Sequence, residues 1–304
     1  MTASHLDFIE DMTFRAHTLQ QLFDIVFLLK NELNEELWFR GQGPYYDLMP
    51  SILRNMKIIA DQFGRKRITE GFSQSNRYAY PNQFTMVEEF KNKSAHLFKT
   101  SPGNTFEWLC IMQHYGIPTT LLDWTIDPMI ALFFATDVPD EEINRRIKEE
   151  EYGAEFWILP PAKLNSHSQF CDQNRVFSSN DKYVDAFLKG DANLAPIAAM
   201  APHIEERLIL QKGNFTIQGS ILRPLNMMWH HKSGFIYKIE IPAEDMRNIK
   251  EHLKCFGHTH DYYYPNDETK YASIKQNELS KFYDWYEEYK ASSTDSDGYV
   301  LEKN

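Results

Sequence analysis

Arg40 and Asp123 are the residues around which a reaction can be built. Arg40 lies in Trp38-Phe39-Arg40-Gly41-Gln42, a short aromatic run that stops at a glycine, so a strand running into a turn is expected to carry it. Its guanidinium is permanently charged and planar, suited to holding a phosphate or the charge that develops on one during transfer. Asp123 lies in Thr119-Thr120-Leu121-Leu122-Asp123-Trp124-Thr125. A buried Arg requires a partner, so Asp123 either fastens Arg40 to the protein or orients it for a ligand, and one arrangement can do both. His114 and Tyr115 precede a Gly-x-Pro turn. With Arg40 they make a general acid–base set for phosphodiester cleavage without a metal; the alternatives are a helix cap for His114 and plain packing for Tyr115. Arg40, Gln42, His114 and Asp123 equally suit a module that recognises a ligand without transforming it. His258, His260 and Asp261, and the pair His230-His231, have metal-ligand chemistry, yet no carboxylate cluster accompanies them and no metal is expected.

These residues must be held by a chain of 304 residues, 42% hydrophobic and 25% charged, which suffices for a large core in one big domain or two modest ones. The net charge of -11 opposes general adsorption to nucleic acid or to an anionic membrane. Contact with nucleic acid must then be local, and Arg54, Lys57, Arg65, Lys66 and Arg67, set against Asp61 alone, form the segment able to supply it or else a solvated face. No apolar run approaches the roughly 20 residues of a membrane span, and the N-terminal sequence lacks the pattern of a secretory signal, so a cytoplasmic protein is expected. Cys110, Cys171 and Cys255 are far apart and odd in number, and are expected to be buried free thiols.

Hydrophobic periodicity predicts helices over residues 13–37, with Thr13 as N-cap, and over 50–72, 84–98, 105–115, 139–152 and 243–254. Asp127-Pro128 opens a further helix, Met129 to Thr136, whose few polar positions mark it as central. Strands are expected at 154–159, 215–222 and 234–242, a loop at 73–83, and a compact connection at 119–125. The last dozen residues read as a mobile or partner-dependent tail. The order of elements predicts an α+β fold with a mixed or antiparallel central sheet and packed helices. No GxGxxG supports a doubly wound dinucleotide domain.

The Trp38–Gln42 segment resembles the motif that gives the FRG domain its name, and Leu48-Met49-Pro50-Ser51-Ile52-Leu53-Arg54 is similar to the segment that follows it there. Gln113-His114-Tyr115-Gly116-Ile117-Pro118 through Thr125, then Pro128 and Ala131-Leu132-Phe133-Phe134-Ala135, resemble that family in order and spacing. Glu206 to Thr216 and Leu253 to Ala272 are similar to its later segments, so the resemblance spans residues 17–280, with 1–16 an N-terminal extension and 281–304 a helix end and tail. Thr120 stands where the family commonly has Arg. Membership implies a bacterial effector of defence or toxin type, with an antitoxin or other regulatory protein as partner. The aromatic strand bearing Arg40-Gly41 also resembles the first strand of arginine-type ADP-ribosyltransferases. That resemblance implies an ADP-ribosyltransferase-like fold and transfer of ADP-ribose from NAD to a nucleic acid or protein. Arg40 would hold the pyrophosphate, Gly41 would let the backbone approach, and Gln42 and Tyr115 would line the cofactor site. Glu206 would be the carboxylate near the ribose, with Gln211 as a polar alternative. The apolar helix ending Leu132-Phe133-Phe134-Ala135 resembles the aromatic motif beside the nicotinamide, or is plain core.

Overall fold

Alternation of apolar and polar side chains builds the sheet that carries Arg40. In the computed structural model, strand β8 (Tyr152–Leu159) turns Ala154, Phe156 and Ile158 to one core and Glu155, Trp157 and Leu159 to the other face. It lies between β11 (Tyr237–Pro242) and β3 (Trp38–Gln42), both antiparallel to it. The full order is β1 (Asp7–Glu10), β2 (Thr13–Arg15), β11, β8, β3, β7 (Leu121–Thr125), β10 (Gly213–Ile217) and β9 (Ile197–Met200). Only β2 and β11 run parallel among these pairs, so the sheet is mixed and the fold is α+β. A second sheet joins β4 (Lys57–Ile58), β6 (Tyr78–Tyr80) and β5 (Ser73–Ser75). The structure describes residues 7–10, 12–43, 46–54, 57–58, 73–75, 78–97, 102–149, 152–168, 174–189, 195–202, 206–219, 221–228, 236–263, 280–281 and 283–284.

Two groups of helices cover one face of the large sheet. Helix α1 (Leu19–Leu33) buries Leu22, Ile25, Val26 and Leu29, one helical stripe, and packs with α4 (Pro128–Thr136) and α9 (Ala243–Cys255) over β11, β8 and β3. Helices α2 (Gln83–Ser94), α3 (Thr105–His114) and α7 (Lys182–Lys189) form a second core with Leu121, Phe215 and Ile217. Phe39 and Thr125 are opposite one another, as are Asp123 and Phe215, so both cores lie on the same face and meet at the β3–β7 seam. On the opposite face Trp38, Leu122, Trp124, Trp157 and Leu159 pack with Leu164 and Leu225. The indole of Trp124 donates to Thr216 Oγ1 there at 3.1 Å.

Several elements depart from the sequence-based expectation. Thr13 opens a strand rather than capping a helix; the α1 cap is Thr18, whose hydroxyl accepts from the Gln21 N–H at 3.2 Å. Residues 7–15, expected to precede the domain, supply β1 and β2, and β2 pairs with β11 inside the sheet. Within the expected helix 50–72, Ser51–Leu53 form a single 3-10 turn and Lys57–Ile58 a strand; 59–72 lie outside the described residues. Two short strands occupy the expected loop at 73–83. Residues 119–125 are not a connection: Leu121–Thr125 form the central strand β7, paired on both sides. Its flanking Gly116 and Pro118 obscure it, and burial of both faces everywhere but at Asp123 removes the alternation that betrays a half-exposed strand. The strand expected at 215–222 ends at Ile217. Cys110 is buried as expected and Cys255 is exposed, because it ends α9 on the polar side. Cys171 and the C-terminal tail lie outside the described residues. Among the described residues no helix is long and apolar enough to cross a membrane.

Candidate functional site

The sheet opens where β3 and β7 part. Among the described residues the two strands share one pair, Phe39 opposite Thr125. One step further, the ladder would set Gly41 against Asp123; instead Arg40 Nη1 donates to the Asp123 main-chain oxygen at 2.8 Å. The parted strands leave a cleft of about 350 Å³ on the helical face, between α4 on one side and the end of α3 on the other. Arg40, Gln113, His114, Asp123 and Gln211 give it polar walls, and Phe39, Phe134, Leu208 and Phe215 give it apolar ones. This mixture, and a volume in the range of small-molecule sites, make it the candidate binding site.

Arg40 is the centre of this cleft. Its side chain is 15% exposed and burial pulls its pKa down to about 10, with Asp123 opposing that fall and Arg54 adding to it. It is still a cation at neutral pH. Nε donates to Gln42 Oε1 at 3.3 Å, Nη1 is taken by the Asp123 carbonyl, and Nη2 makes no hydrogen bond among the described residues. One edge of the fork is thereby held and the other is left for an anion. Asp123 also carries a carboxylate, 56% exposed in the cleft, with Oδ2 3.8 Å from Arg40 Nη1. Gln113 fixes it: Nε2 donates to Asp123 Oδ2 at 2.8 Å, while Oε1 accepts from the Thr119 hydroxyl.

Local sequence explains how these groups are held. Asn104 caps α3 through the Glu107 N–H, and the helix stops at Gly116, whose φ of 71° is the left-handed conformation that glycine tolerates. Gln113 and His114 therefore occupy the last turn, facing β7. Asp127 caps α4 through the Met129 N–H at 2.9 Å, and Pro128 takes the first helical position. The helix then presses on β3 so closely that a Cβ on Gly41 would lie 1.8 Å from the Ala131 carbonyl oxygen and 2.7 Å from the Ala135 nitrogen. Gly41 is glycine because a helix backbone fills that place, which replaces the expectation that its bareness admits a ligand.

Of the residues singled out from sequence, the cleft brings together Arg40, Gly41, His114, Asp123 and Gln211. Gln42 stands outside the lining, where Nε2 donates to Glu155 Oε2 at 3.3 Å, so it links Arg40 to the buried Glu155. Tyr115 packs against the α2–α3–α7 core and edge-on to His114, ring centroids 4.7 Å apart. Glu206 opens helix α8 (Glu206–Leu210), and its side chain lies outside the described residues. The Thr120 N–H donates to Gln83 Oε1 at 2.6 Å. Phe134, from the apolar helix weighed as an aromatic motif or as core, also lines the cleft; sequence reasoning missed Gln113 and Asn214 as cleft residues, and only the fold joins Gln113 to Asp123. The histidines weighed as metal ligands turn elsewhere: His258 Nδ1 is 2.7 Å from the Tyr263 hydroxyl, and His260 Nδ1 is 2.8 Å from Asp137 Oδ2. Among the described residues no three His, Cys, Asp or Glu side chains gather as metal ligands, and His230 and His231 lie outside them. Burial pushes the Cys110 thiol pKa up, which makes it a poor nucleophile.

The family model described as FRG domain matches residues 35–143, the stretch that holds β3, α3, β7 and α4. No curated protein and no solved structure matches the chain. Arg40, His114 and Asp123 fall inside the matched stretch, and Gln211 outside it. The chain carries an FRG domain, and the cleft opens between that domain's own two strands.

Proposed function

We propose that the cleft binds NAD and that the chain transfers ADP-ribose from it to a nucleic acid or protein, as a toxin-type effector held in check by a partner protein. The observation that carries this reading is the half-committed guanidinium of Arg40, fixed through Nε and Nη1 with Nη2 left over, at the floor of a cleft with polar and apolar walls. Such an edge suits a pyrophosphate. Cleavage breaks the bond between the ribose C1′ and the nicotinamide nitrogen; the ring departs with the electron pair, and a nucleophile of the acceptor forms the new bond at C1′. The Asp123 carboxylate is available to stabilise the cationic ribose between these events, and His114 to take the proton that the acceptor loses. Asp123 thus takes the part first expected of Glu206. A cytoplasmic setting, where NAD and nucleic acid are both present, suits the reaction.

The test is incubation of the purified chain with labelled NAD and total cell RNA, DNA and protein, beside Arg40→Ala shown to be folded. Label transferred by the wild type, and reduced at least about a hundredfold in the variant as expected for a lost charged contact of roughly 3 kcal/mol, supports the reading and names the acceptor class. RNA shortened without transfer of label replaces it with cleavage by His114 and Arg40.

A further inference from the structure

Gln211 carries a binding capacity that the fold does not use. Its main-chain oxygen accepts from the Thr125 hydroxyl at 2.7 Å. The next residue, Lys212, takes a left-handed conformation with φ of 46°, accepts from the Ile126 N–H at 3.2 Å, and reaches Asp127 Oδ2 with Nζ at 2.7 Å. The turn before β10 is therefore fastened to the segment joining β7 and α4, and this delivers Gln211 to the cleft wall. There its side-chain nitrogen is buried and makes no hydrogen bond among the described residues. Folded chains pair almost all buried amides, so an unpaired one at the wall of a cleft points to a partner that arrives with the ligand.

The chemistry of that partner follows from the surroundings. Leu208, Phe134 and Phe215 give the same cleft an apolar lining, and Arg40 lines it from β3. A flat aromatic ring suits the apolar lining, where phenyl faces also accept the positive charge of a pyridinium, and an anionic group suits Arg40. A carboxamide on the ring offers both a carbonyl and an N–H to Gln211, two complementary hydrogen bonds whichever way the Gln amide is turned about its soft terminal bond. A carboxylate in its place would leave a charge facing the amide oxygen or lose a bond. We propose that Gln211 reads the carboxamide of the nicotinamide ring, so that NAD lies with its ring against Gln211 and Phe134 and its phosphates towards Arg40. This assignment rests on the NAD reading above and gives the dinucleotide a direction.

Calorimetric titration of the purified full chain with NAD, ADP-ribose and nicotinic acid adenine dinucleotide tests it, because the last two lack the ring and the carboxamide respectively. The wild type is expected to prefer NAD to the acid analogue by roughly tenfold or more, the worth of one or two hydrogen bonds. Gln211→Ala is expected to lose a similar factor for NAD, to erase the preference, and to leave ADP-ribose binding unchanged. Equal affinity of the wild type for NAD and the acid analogue overturns the assignment without any variant. An equal loss of NAD and ADP-ribose in Gln211→Ala also overturns it, since Gln211 would then only shape the cleft. A wild type that binds ADP-ribose without preferring NAD removes the role of Gln211 alone, whereas one that binds neither removes the NAD reading and this assignment together.

Discussion

At the scale of single residues, the fastening and ligand-holding roles of Arg40 make opposite demands on stability. Burial pulls its pKa well below the usual guanidinium range, to about 10, so burying the cation costs on the order of 3 kcal/mol. The sign follows from proton counts. Below pH 10 both folded and unfolded chains hold the proton and the cost is fully present; above pH 10 the unfolded chain holds more, and stability from this group rises. Against the cost stand the hydrogen bonds to the Asp123 carbonyl and Gln42, each worth roughly 1.5–3 kcal/mol for a charged donor. These nearly cancel. Arg40→Met, which keeps much of the volume, is therefore expected to change unfolding stability at pH 7 by less than about 1 kcal/mol in urea titration. A loss of 3 kcal/mol or more would make Arg40 chiefly a fastener of β3 to β7.

At the scale of elements, the cleft exists because α4 lies directly on β3 while β7 leaves it. Gly41→Ala is the sharpest probe of that contact, since its Cβ would meet the backbone of Ala131 and Ala135, which cannot rotate away. Shifting the helix is expected to cost about 3 kcal/mol or more, measured by urea unfolding, and to disturb the Phe134 wall that α4 supplies. A variant as stable as the wild type would show that α4 is not locked on β3. The sequence revealed β3 and α4 plainly, through an aromatic run ending in Gly41 and an apolar run behind Asp127-Pro128. It hid β7, because Leu-Leu-Asp-Trp-Thr is buried on both faces except at Asp123 and has no period of two. The strands β1 and β2 span only four and three residues and carry too few positions for any pattern. Arg40, His114 and Asp123 were legible as chemistry by residue type alone. Their meeting was not, since the splay of two strands depends on pairings between residues more than eighty apart in the chain.

At the scale of the molecule, the stretch matched to the FRG domain is expected to need the rest of the chain to fold. Residues 35–143 hold β3 and β7, which share a single pair. Their other partners come from later in the chain: β8 runs alongside β3 over five paired positions, and β10 alongside β7 over five. Without β8 and β10, both strands would lose most of their backbone hydrogen bonds and present bare edges. The core over β3 would also lose Phe156, Ile158, Ile239 and Ile241, which lie beyond residue 143 and are completely buried in the full chain. Burial of each is worth roughly 1.5–3 kcal/mol, comparable together with the whole stability of an ordinary domain. A fragment of residues 35–143 is therefore expected to show no cooperative thermal transition and little amide dispersion by nuclear magnetic resonance, whereas the full chain shows both. Adding residues 144–255 restores β8, β10, β11 and α9, and with them the flanks of β3 and β7. If the short fragment melted cooperatively by itself, β3 and β7 would have to pair beyond Phe39 and Thr125, and the cleft between them would be closed.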